Sequence, residues 1–291
     1  MTANIFGRLH RFLGAMREEL LVLRLRLPRI PLGYKRDTIP LIVAMTTFPE
    51  RIEHSWVAIE TILRQSVVPR KLLLVLSLEE FPNQIIPARI KKQSKRGLSI
   101  LWVEKNFRSY DKLIPVLSHY PDHPVITVDD DKFFPPKMVE RLWDAHLRTP
   151  RAIIGYRGWR IREPAESPIS YGKNWERLTS FDSGTDLFLP GGNGVLYPPF
   201  SLEKGVLDAE TAITVCPHAD DIWFWGHALK NGSTFVCLGM SPHRPVARQG
   251  TTSALSNTNV VKNAEQFQKV LEYLDIAEIL VSAIRKSDHD R

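Results

Sequence analysis

Three consecutive aspartates stand directly after a short apolar segment near the middle of the 291-residue chain. Residues 124–128 read Pro-Val-Ile-Thr-Val, which predicts a buried β-strand, and Asp129, Asp130 and Asp131 follow it. Alternate residues of an extended segment point the same way, so Asp129 and Asp131 are placed to address one ligand. Their carboxylates suit Mg²⁺ or Mn²⁺, which often bridge protein carboxylates to substrate phosphates. A run of acids also occurs as a solvated helix cap, but the position at a strand end favours a ligand site.

A second acidic pair, Asp220 and Asp221, precedes a segment with helical spacing at residues 222–230. An aspartate before a helix serves first as an N-cap, because its carboxylate accepts hydrogen bonds from unpaired backbone amides. One acid is enough for that role. The other, in a cluster with His218, is available as a general base. Capping and catalysis explain the pair about equally well.

Two further features are weaker as isolated motifs. The run from Gly191 to Gly194 has three glycines in four positions, which permits positive φ and a close approach of backbone to a ligand. A hairpin turn explains this run equally well. His243 follows a predicted strand at residues 234–238, and a lone histidine is more often structural than functional.

The segments that would position these residues alternate between strand and helix patterns. Strands are predicted at residues 41–46, 71–77, 98–103 and 124–128, and helices at residues 55–65, 87–95, 113–119 and 138–147. This alternation is typical of βαβ units with a mostly parallel sheet, where ligands bind beyond the carboxyl ends of the strands. After residue 150 the pattern breaks down into loops and short strands. One long amphipathic helix is predicted at residues 264–284.

Composition and charge indicate a globular protein and argue against a disulfide-rich or nucleic-acid-binding one. Hydrophobic residues make up 43% of the chain and charged residues 24%, as in ordinary globular proteins. Cys216 and Cys237 are too few for a disulfide framework and have the wrong spacing for a zinc site, so we expect reduced packing residues. Residues 1–36 carry eight of the 39 lysines and arginines but only two of the 32 acids. The body is therefore nearly neutral, and with no nucleic-acid motif we expect no nucleic-acid partner.

The basic tail has the pattern of an amphipathic helix. Its apolar residues recur at three- and four-residue steps, namely Ile5, Phe6, Leu9, Phe12, Leu13, Met16, Leu20 and Leu23. No run is apolar for long enough to span a bilayer. The tail therefore predicts a contact with an anionic membrane surface through residues 1–30, and the alternative is a helix that packs on the domain. We divide the chain into this tail and linker (1–36), a main domain (37–262) and a C-terminal helix (263–291).

Five short blocks, in order, resemble the bacterial glycosyltransferases of capsule and lipopolysaccharide gene clusters, which have the GT-A nucleotide-sugar fold. The resemblance covers roughly residues 40–245. The blocks are TTFPER at 46–51, SYDKL at 109–113, TVDDD at 127–131, GNGVLYPP at 192–199 and ADDIWF at 219–224. The resemblance implies an α/β domain with a central, mostly parallel sheet flanked by helices, to which the amphipathic N-terminal helix is added.

The resemblance also implies a role for each matched residue. Asp129 and Asp131 would form a DxD motif that holds Mn²⁺ or Mg²⁺ on the donor diphosphate, with His243 completing the metal site. Asp221, with Asp220 beside it, would deprotonate the acceptor hydroxyl in an inverting enzyme. The implied donor-binding residues are Thr47, Pro49, Arg51, Lys112, Asp129, Asp130, Gly192, Asn193 and Gly194. Asn193 stands between two glycines where the family pattern usually has none.

These observations predict a metal-dependent glycosyltransferase that moves a sugar from a nucleotide-sugar donor to a hydroxyl of a cell-surface glycan or lipid-linked acceptor. We expect it in the cytoplasm, peripheral at the inner membrane face. One alternative is a nucleotidyltransferase or sugar-phosphate pyrophosphorylase, although these usually carry a glycine-rich basic loop where this chain reads TTFPER. The other is a non-catalytic carbohydrate-binding protein, whose tryptophans would stack on sugars.

Overall fold

The computed structural model describes residues 16, 19–27, 36–162, 169–239, 244–245 and 254–289. The strands, in chain order, are β1 (Thr38–Thr46), β2 (Val68–Ser77), β3 (Leu98–Val103), β4 (Val125–Val128), β5 (Lys132–Phe133), β6 (Ile153–Gly155), β7 (Trp159–Arg160), β8 (Glu176–Arg177), β9 (Asp182–Gly184), β10 (Leu187–Phe188), β11 (Asn193–Tyr197), β12 (Phe235–Cys237) and β13 (Arg244–Pro245). The helices are α1 (Pro49–Leu63), α2 (Ala88–Ser94), α3 (Ile114–His119), α4 (Met138–Arg148), α5 (Ala209–Val215), α6 (Asp220–Lys230), α7 (Ala254–Leu274) and α8 (Ala277–His289).

An eight-stranded sheet forms the centre of the molecule, in the order β3-β2-β1-β4-β11-β6-β12-β9. β3, β2, β1 and β4 are mutually parallel, as are β6 and β12. β11 runs antiparallel between β4 and β6, and β9 runs antiparallel at the edge. The predicted α/β fold with a mostly parallel sheet is therefore confirmed, and the carboxyl ends of β1, β4 and β6 meet at one edge.

Both faces of this sheet are covered, which explains why its strands are continuous apolar runs. Along β1, Ile42 and Ala44 belong to one core cluster, while Leu41, Val43 and Met45 belong to the cluster on the opposite face. The first cluster includes the apolar sides of α6, α7 and α8, and the second those of α1 and α4. Cys216 and Cys237 are buried and free of disulfides, in agreement with their expected role as packing residues.

Two predicted helices differ from those observed. α1 begins at Pro49, six residues before the predicted start, because proline is favoured in the first turn of a helix. The single C-terminal helix predicted at residues 264–284 is wrong. Asp275 has a left-handed backbone (φ 54°) that ends one helix before the next begins. The turn lets the flanking Leu274 and Ile276 both enter the core.

The C-terminal helix α8 is tied to the short strand β7 by charged and polar contacts. The buried guanidinium of Arg160 pairs with Asp182 at 2.7 Å and with Asp186, and it donates a hydrogen bond to Ser287 at 2.6 Å. Arg162 pairs with Asp288 of the same helix. The proposed domain boundaries at residues 36 and 262 stay predictions.

Residues 19–26 of the basic tail are helical, and one side of this helix lies on the body. Leu21, Val22 and Leu25 pack against the core cluster of α1. The Arg64 guanidinium, at the end of α1, donates hydrogen bonds to three carbonyl oxygens at the end of the tail helix, those of residues 24, 25 and 27. Within the described residues, no helix is both long and apolar enough to cross a membrane.

Candidate active site

A cleft of about 510 Å³ opens at the sheet edge where β1 and β4 end and α6 begins. It brings together ten of the residues predicted for the site, namely Thr47, Arg51, Lys112, Asp129, Asp130, Asp131, Gly192, Asn193, Asp220 and Asp221. Pro49 and Gly194 do not line it, since Pro49 starts α1 and Gly194 lies within β11. His243 lies outside the described residues. Its neighbours Arg244 and Pro245 pair with Phe133 and Lys132, directly after the acid triplet.

All three aspartates of the acid triplet line the cleft, and two of them, Asp130 and Asp131, share the Arg51 guanidinium. Asp130 is buried and points towards β1, where its carboxylate accepts a hydrogen bond from Thr47 Oγ1 at 2.5 Å and pairs with Arg51 at 3.0 Å. Burial raises the pKa of Asp130 to about 6, although Arg51 opposes this shift. Arg51 also reaches Asp131 at 2.7 Å, so it holds the end of β4 against the start of α1. Asp130 therefore anchors the loop to the end of β1, and Arg51 holds Asp130 and Asp131 together.

Lys112 connects the triplet to the acidic pair. Its ammonium lies 3.3 Å from Asp129 and 2.9 Å from Asp220, and its side chain is only 6% exposed. Burial alone would lower the pKa of Lys112, but the two carboxylates outweigh burial and raise it. Burial would likewise raise the pKa of Asp129, yet Lys112 and Lys132 bring it below the usual value. A charged lysine is thus held between the carboxylates of Asp129 and Asp220.

Asp221 has a different environment from its neighbour. Burial, with the adjacent charge of Asp220, raises the pKa of Asp221 to about 7. None of the described lysines and arginines forms an ion pair with it. Neither acid is the N-cap of α6, because Ala219 takes that position and both acids lie in the first turn. Capping therefore does not account for the pair, and Asp221 has the properties of a general base that works near neutral pH.

The glycines before β11 make room for Asp129. A Cβ atom added to Gly192 would lie 1.7 Å from the Asp129 carboxylate, whereas one added to Gly191 would lie 3.7 Å from its nearest neighbour. The Thr127 hydroxyl donates to the Gly191 carbonyl at 2.8 Å, and the Asp129 amide donates to the Gly192 carbonyl at 3.2 Å. The sequence suggested that the backbone of this glycine run comes close to a ligand. In the structure, the backbone at Gly192 comes close to the Asp129 carboxylate.

The carboxylates of the triplet fit a divalent ion only if substrate supplies further ligands. Among the described residues, no three His, Cys, Asp or Glu side chains converge on one point. Asp131 Oδ1 is nevertheless buried in the cleft wall without a hydrogen-bond donor, and the Lys132 ammonium is 3.6 Å from it. Mg²⁺ is usually bound by one or two carboxylates together with substrate phosphates. Asp129 and Asp131 are the carboxylates that would hold such an ion if a substrate phosphate supplied further ligands.

Several residues that line the cleft were not found from the sequence. Arg157 follows β6, a three-residue strand that was not predicted, and reaches the cleft because β6 ends at the same edge as β4. Asn106 and Arg108 lie in the loop before Lys112. A cationic residue directly after an apolar triplet was the one available signal, and it points only to Arg157.

Comparison with known proteins identifies the fold. No family model and no curated protein sequence matches the chain. Among solved structures, it resembles the mannosyltransferase PcManGT of Pyrobaculum calidifontis, solved in complex with GDP-Man and Mn²⁺. The TM-score is 0.51 at 12% identity, over 97% of this chain and 78% of that one. At this identity the likeness concerns the fold alone, a GT-A-like α/β fold.

Weaker likenesses point to two other proteins. S. aureus TarS matches with a TM-score of 0.48 at 11% identity, over 82% of this chain but only 39% of that one. A 4-diphosphocytidyl-2C-methyl-D-erythritol synthase matches with a TM-score of 0.44 at 9% identity, over 79% of this chain and all of that one. At these scores neither carries an argument about activity.

Proposed function

We propose that this protein is a glycosyltransferase that moves a sugar from a nucleotide-sugar donor to a hydroxyl group of an acceptor, with the help of Mn²⁺ or Mg²⁺. The observation that carries the proposal is the cleft in which Lys112 links the acid triplet after β4 to the acid pair of α6. The PcManGT complex, which has the same fold and contains GDP-Man and Mn²⁺, supports this choice of donor and ion.

The two sides of the cleft have complementary tasks in this reaction. Asp129 and Asp131 would hold a divalent ion together with the donor diphosphate, and a bound ion would act as a Lewis acid on the departing diphosphate. Lys112 holds its positive charge in a buried position, where a fixed charge stabilises developing negative charge more strongly than it would in water. Asp221 would accept the proton of the acceptor hydroxyl, which a positioned carboxylate accelerates by about 10²–10⁴-fold.

The acceptor is proposed to be a cell-surface glycan or a lipid-linked sugar, as in capsule or lipopolysaccharide synthesis. The tail helix supports a place at the inner membrane face. Leu20 and Leu23 are 62% and 55% exposed on the side away from the body, and the tail carries the excess positive charge of the chain. An apolar stripe beside arginines is suited to the surface of an anionic bilayer.

Vesicle binding tests the membrane contact. The double variant Leu20→Ser and Leu23→Ser should leave the fold unchanged and lose binding to vesicles that contain anionic lipid. Deletion of residues 1–30 should also lose this binding, although it removes the packing of Leu21, Val22 and Leu25 on the body. A Leu147→Ser variant, which changes an exposed leucine on α4, is the matched control. Undiminished vesicle binding by the double variant and the deletion would refute the contact.

Donor turnover tests the enzyme itself. With a panel of nucleotide sugars and Mn²⁺, Asp131→Ala should reduce turnover by about 10³-fold or more, since loss of the ion removes several kcal/mol of stabilisation. Chelation should have the same effect, while Asp122→Ala, at an exposed aspartate, should leave turnover unchanged. Activity that survives both treatments sinks the proposal. Release of pyrophosphate from a nucleoside triphosphate and a sugar phosphate would instead identify a nucleotidyltransferase.

A further inference from the structure

Arg157 occupies a part of the cleft that the proposed mechanism does not use. It follows β6 and lines the cleft together with Pro190 and Gly191. Its guanidinium lies over the Trp159 ring, 4.4 Å from the ring centre, which fixes the plane of the fork. The Nε atom is buried and has no hydrogen-bond partner among the residues that the structure describes. A half-buried guanidinium is therefore held in place with donor capacity unused.

Most other cations beside it are already neutralised. Arg51 pairs with Asp130 and Asp131, Lys112 with Asp129 and Asp220, and Lys132 with Asp131. Within the described part of the chain, no carboxylate lies within salt-bridge distance of Arg157. Burial and the nearby Arg177 both lower the pKa of Arg157, which means that the charged form of this guanidinium is destabilised at its position. An anion bound at this point would offset that destabilisation.

The position of Arg157 separates it from the donor diphosphate. β6 is two strands away from β4 in the sheet, which is about 10 Å at the usual spacing of strands. Tyr171 is near enough to both Arg157 and Asp221 for each charge to act on its pKa. Its pKa is raised by burial and by Asp221, and Arg157 acts on it in the opposite direction. Arg157 is thus on the side of the cleft that belongs to Asp221.

We infer that Arg157, stacked on Trp159, binds an anionic group of the acceptor, a carboxylate or a phosphate on the sugar whose hydroxyl is presented to Asp221. This inference rests on the proposed function and names the class of acceptor. A planar fork with free donors is suited to bidentate binding of either oxyanion, and a charge-assisted bond of this kind distinguishes an acidic sugar from a neutral one. The acceptor is therefore acidic.

The test compares three small sugars that differ in charge, namely methyl glucoside, methyl glucuronide and methyl glucoside 6-phosphate. Binding to the full-length chain is measured by ligand-observed NMR, with GDP or UDP and Mn²⁺ measured in parallel. The charged sugars should bind about 10- to 100-fold more tightly than the neutral one. Arg157→Gln should abolish this preference, and Arg157→Lys should retain part of it. Arg177→Gln, an exposed neighbour with the same loss of charge, should change it less than twofold.

Three results would overturn the inference. Wild-type protein would bind all three sugars equally, or Arg177→Gln would act like Arg157→Gln, or Arg157→Gln would weaken nucleotide binding and leave the sugar preference intact. The last result would indicate that the Arg157 guanidinium binds the nucleotide and not the acceptor. If charged sugars bind through Arg157 but no nucleotide sugar is turned over, the anion site stands and the glycosyltransferase proposal fails. A preference for one charged sugar distinguishes the carboxylate from the phosphate.

Discussion

The acid triplet after β4 and the acid pair at the start of α6 are both made of aspartates. The pKa is nevertheless shifted in opposite directions at Asp129 of the triplet and Asp221 of the pair. Burial favours the neutral form at both places. At Asp129 two lysines overcome it and lower the pKa, whereas Asp221 has the charge of Asp220 beside it and a pKa raised to about 7. Lys112 produces much of this difference, because its two contacts go to Asp129 and Asp220. The position of one ammonium group thus separates a carboxylate with a lowered pKa from one with a raised pKa, which are the values that the proposed ligand and base roles require.

The largest expected effect concerns the base. Asp221→Asn should lower turnover by about 10²–10⁴-fold with little change in donor binding. Because a base must be unprotonated, wild-type turnover should rise with pH through about 7, where Asp221 loses its proton. Asp220→Asn removes the neighbouring negative charge and should move this rise to lower pH. Turnover is measured as a function of pH for the wild type, Asp221→Asn and Asp220→Asn, and the three profiles show whether Asp221 is the base and whether Asp220 sets its pKa.

Two outcomes would contradict this difference between the acid triplet and the acid pair. An Asp221→Asn enzyme with full turnover would show that no base acts there, as in a retaining reaction. A pH profile that Asp220→Asn leaves in place would show that the neighbouring charge does not set the pKa of Asp221.

A smaller effect is expected from the glycines that frame Asp129. Gly192→Ala would place a methyl group on the Asp129 carboxylate and displace it, so donor affinity should fall about 10- to 100-fold. Gly191→Ala is the matched control, because its Cβ has ordinary contacts only. Titration with GDP or UDP and Mn²⁺ measures both variants. Equal affinities would mean that Asp129 is not a donor contact.

A third carboxylate, Asp111, sharpens the comparison through stability and not through activity, because it is buried and pairs with no cation among the described residues. It accepts one hydrogen bond, from the Phe107 amide, and burial raises its pKa to about 7. A raised carboxylate pKa gives stability that is complete below the usual value near 4 and is lost as pH rises through 7. Asp111→Asn should therefore stabilise the protein by at most about 4 kcal/mol at pH 8, the value that a pKa raised from near 4 to about 7 implies, and by little at pH 4. Urea unfolding at the two pH values tests this, and equal differences would contradict it.

The parts of the fold that could be predicted are those in which local pattern and tertiary structure agree. The strand at residues 98–103 was predicted with its observed bounds, and β2 and β4 differ only at their starts. The break at Asp275 could not be predicted, because no glycine or proline interrupts the helical spacing and the turn is set by core packing. Short strands such as β6 leave too little periodicity to detect.

The candidate site was predictable where motifs follow long strands or precede a helix. Asp129 and Asp131 were predicted from their position after a strand, and Asp220 and Asp221 from their position before a helix and from the family resemblance; the structure brings all four into one cleft. The bridging role of Lys112 was not predictable. It depends on the contact between Lys112 and Asp220, which are 108 residues apart in sequence. Pairings of this kind are set by the fold as a whole and leave no local pattern.

The contacts of α8 with Arg160 and Arg162 bear on how the protein should be handled in the laboratory. Shortening the gene so that translation stops near residue 276 would remove Ser287 and Asp288 together with the apolar residues Leu280 and Ile284. The guanidinium of Arg160 would then meet solvent on one side and keep its two aspartates on the other. Such a shortened product would expose core leucines and isoleucines, and it would be prone to precipitate during purification.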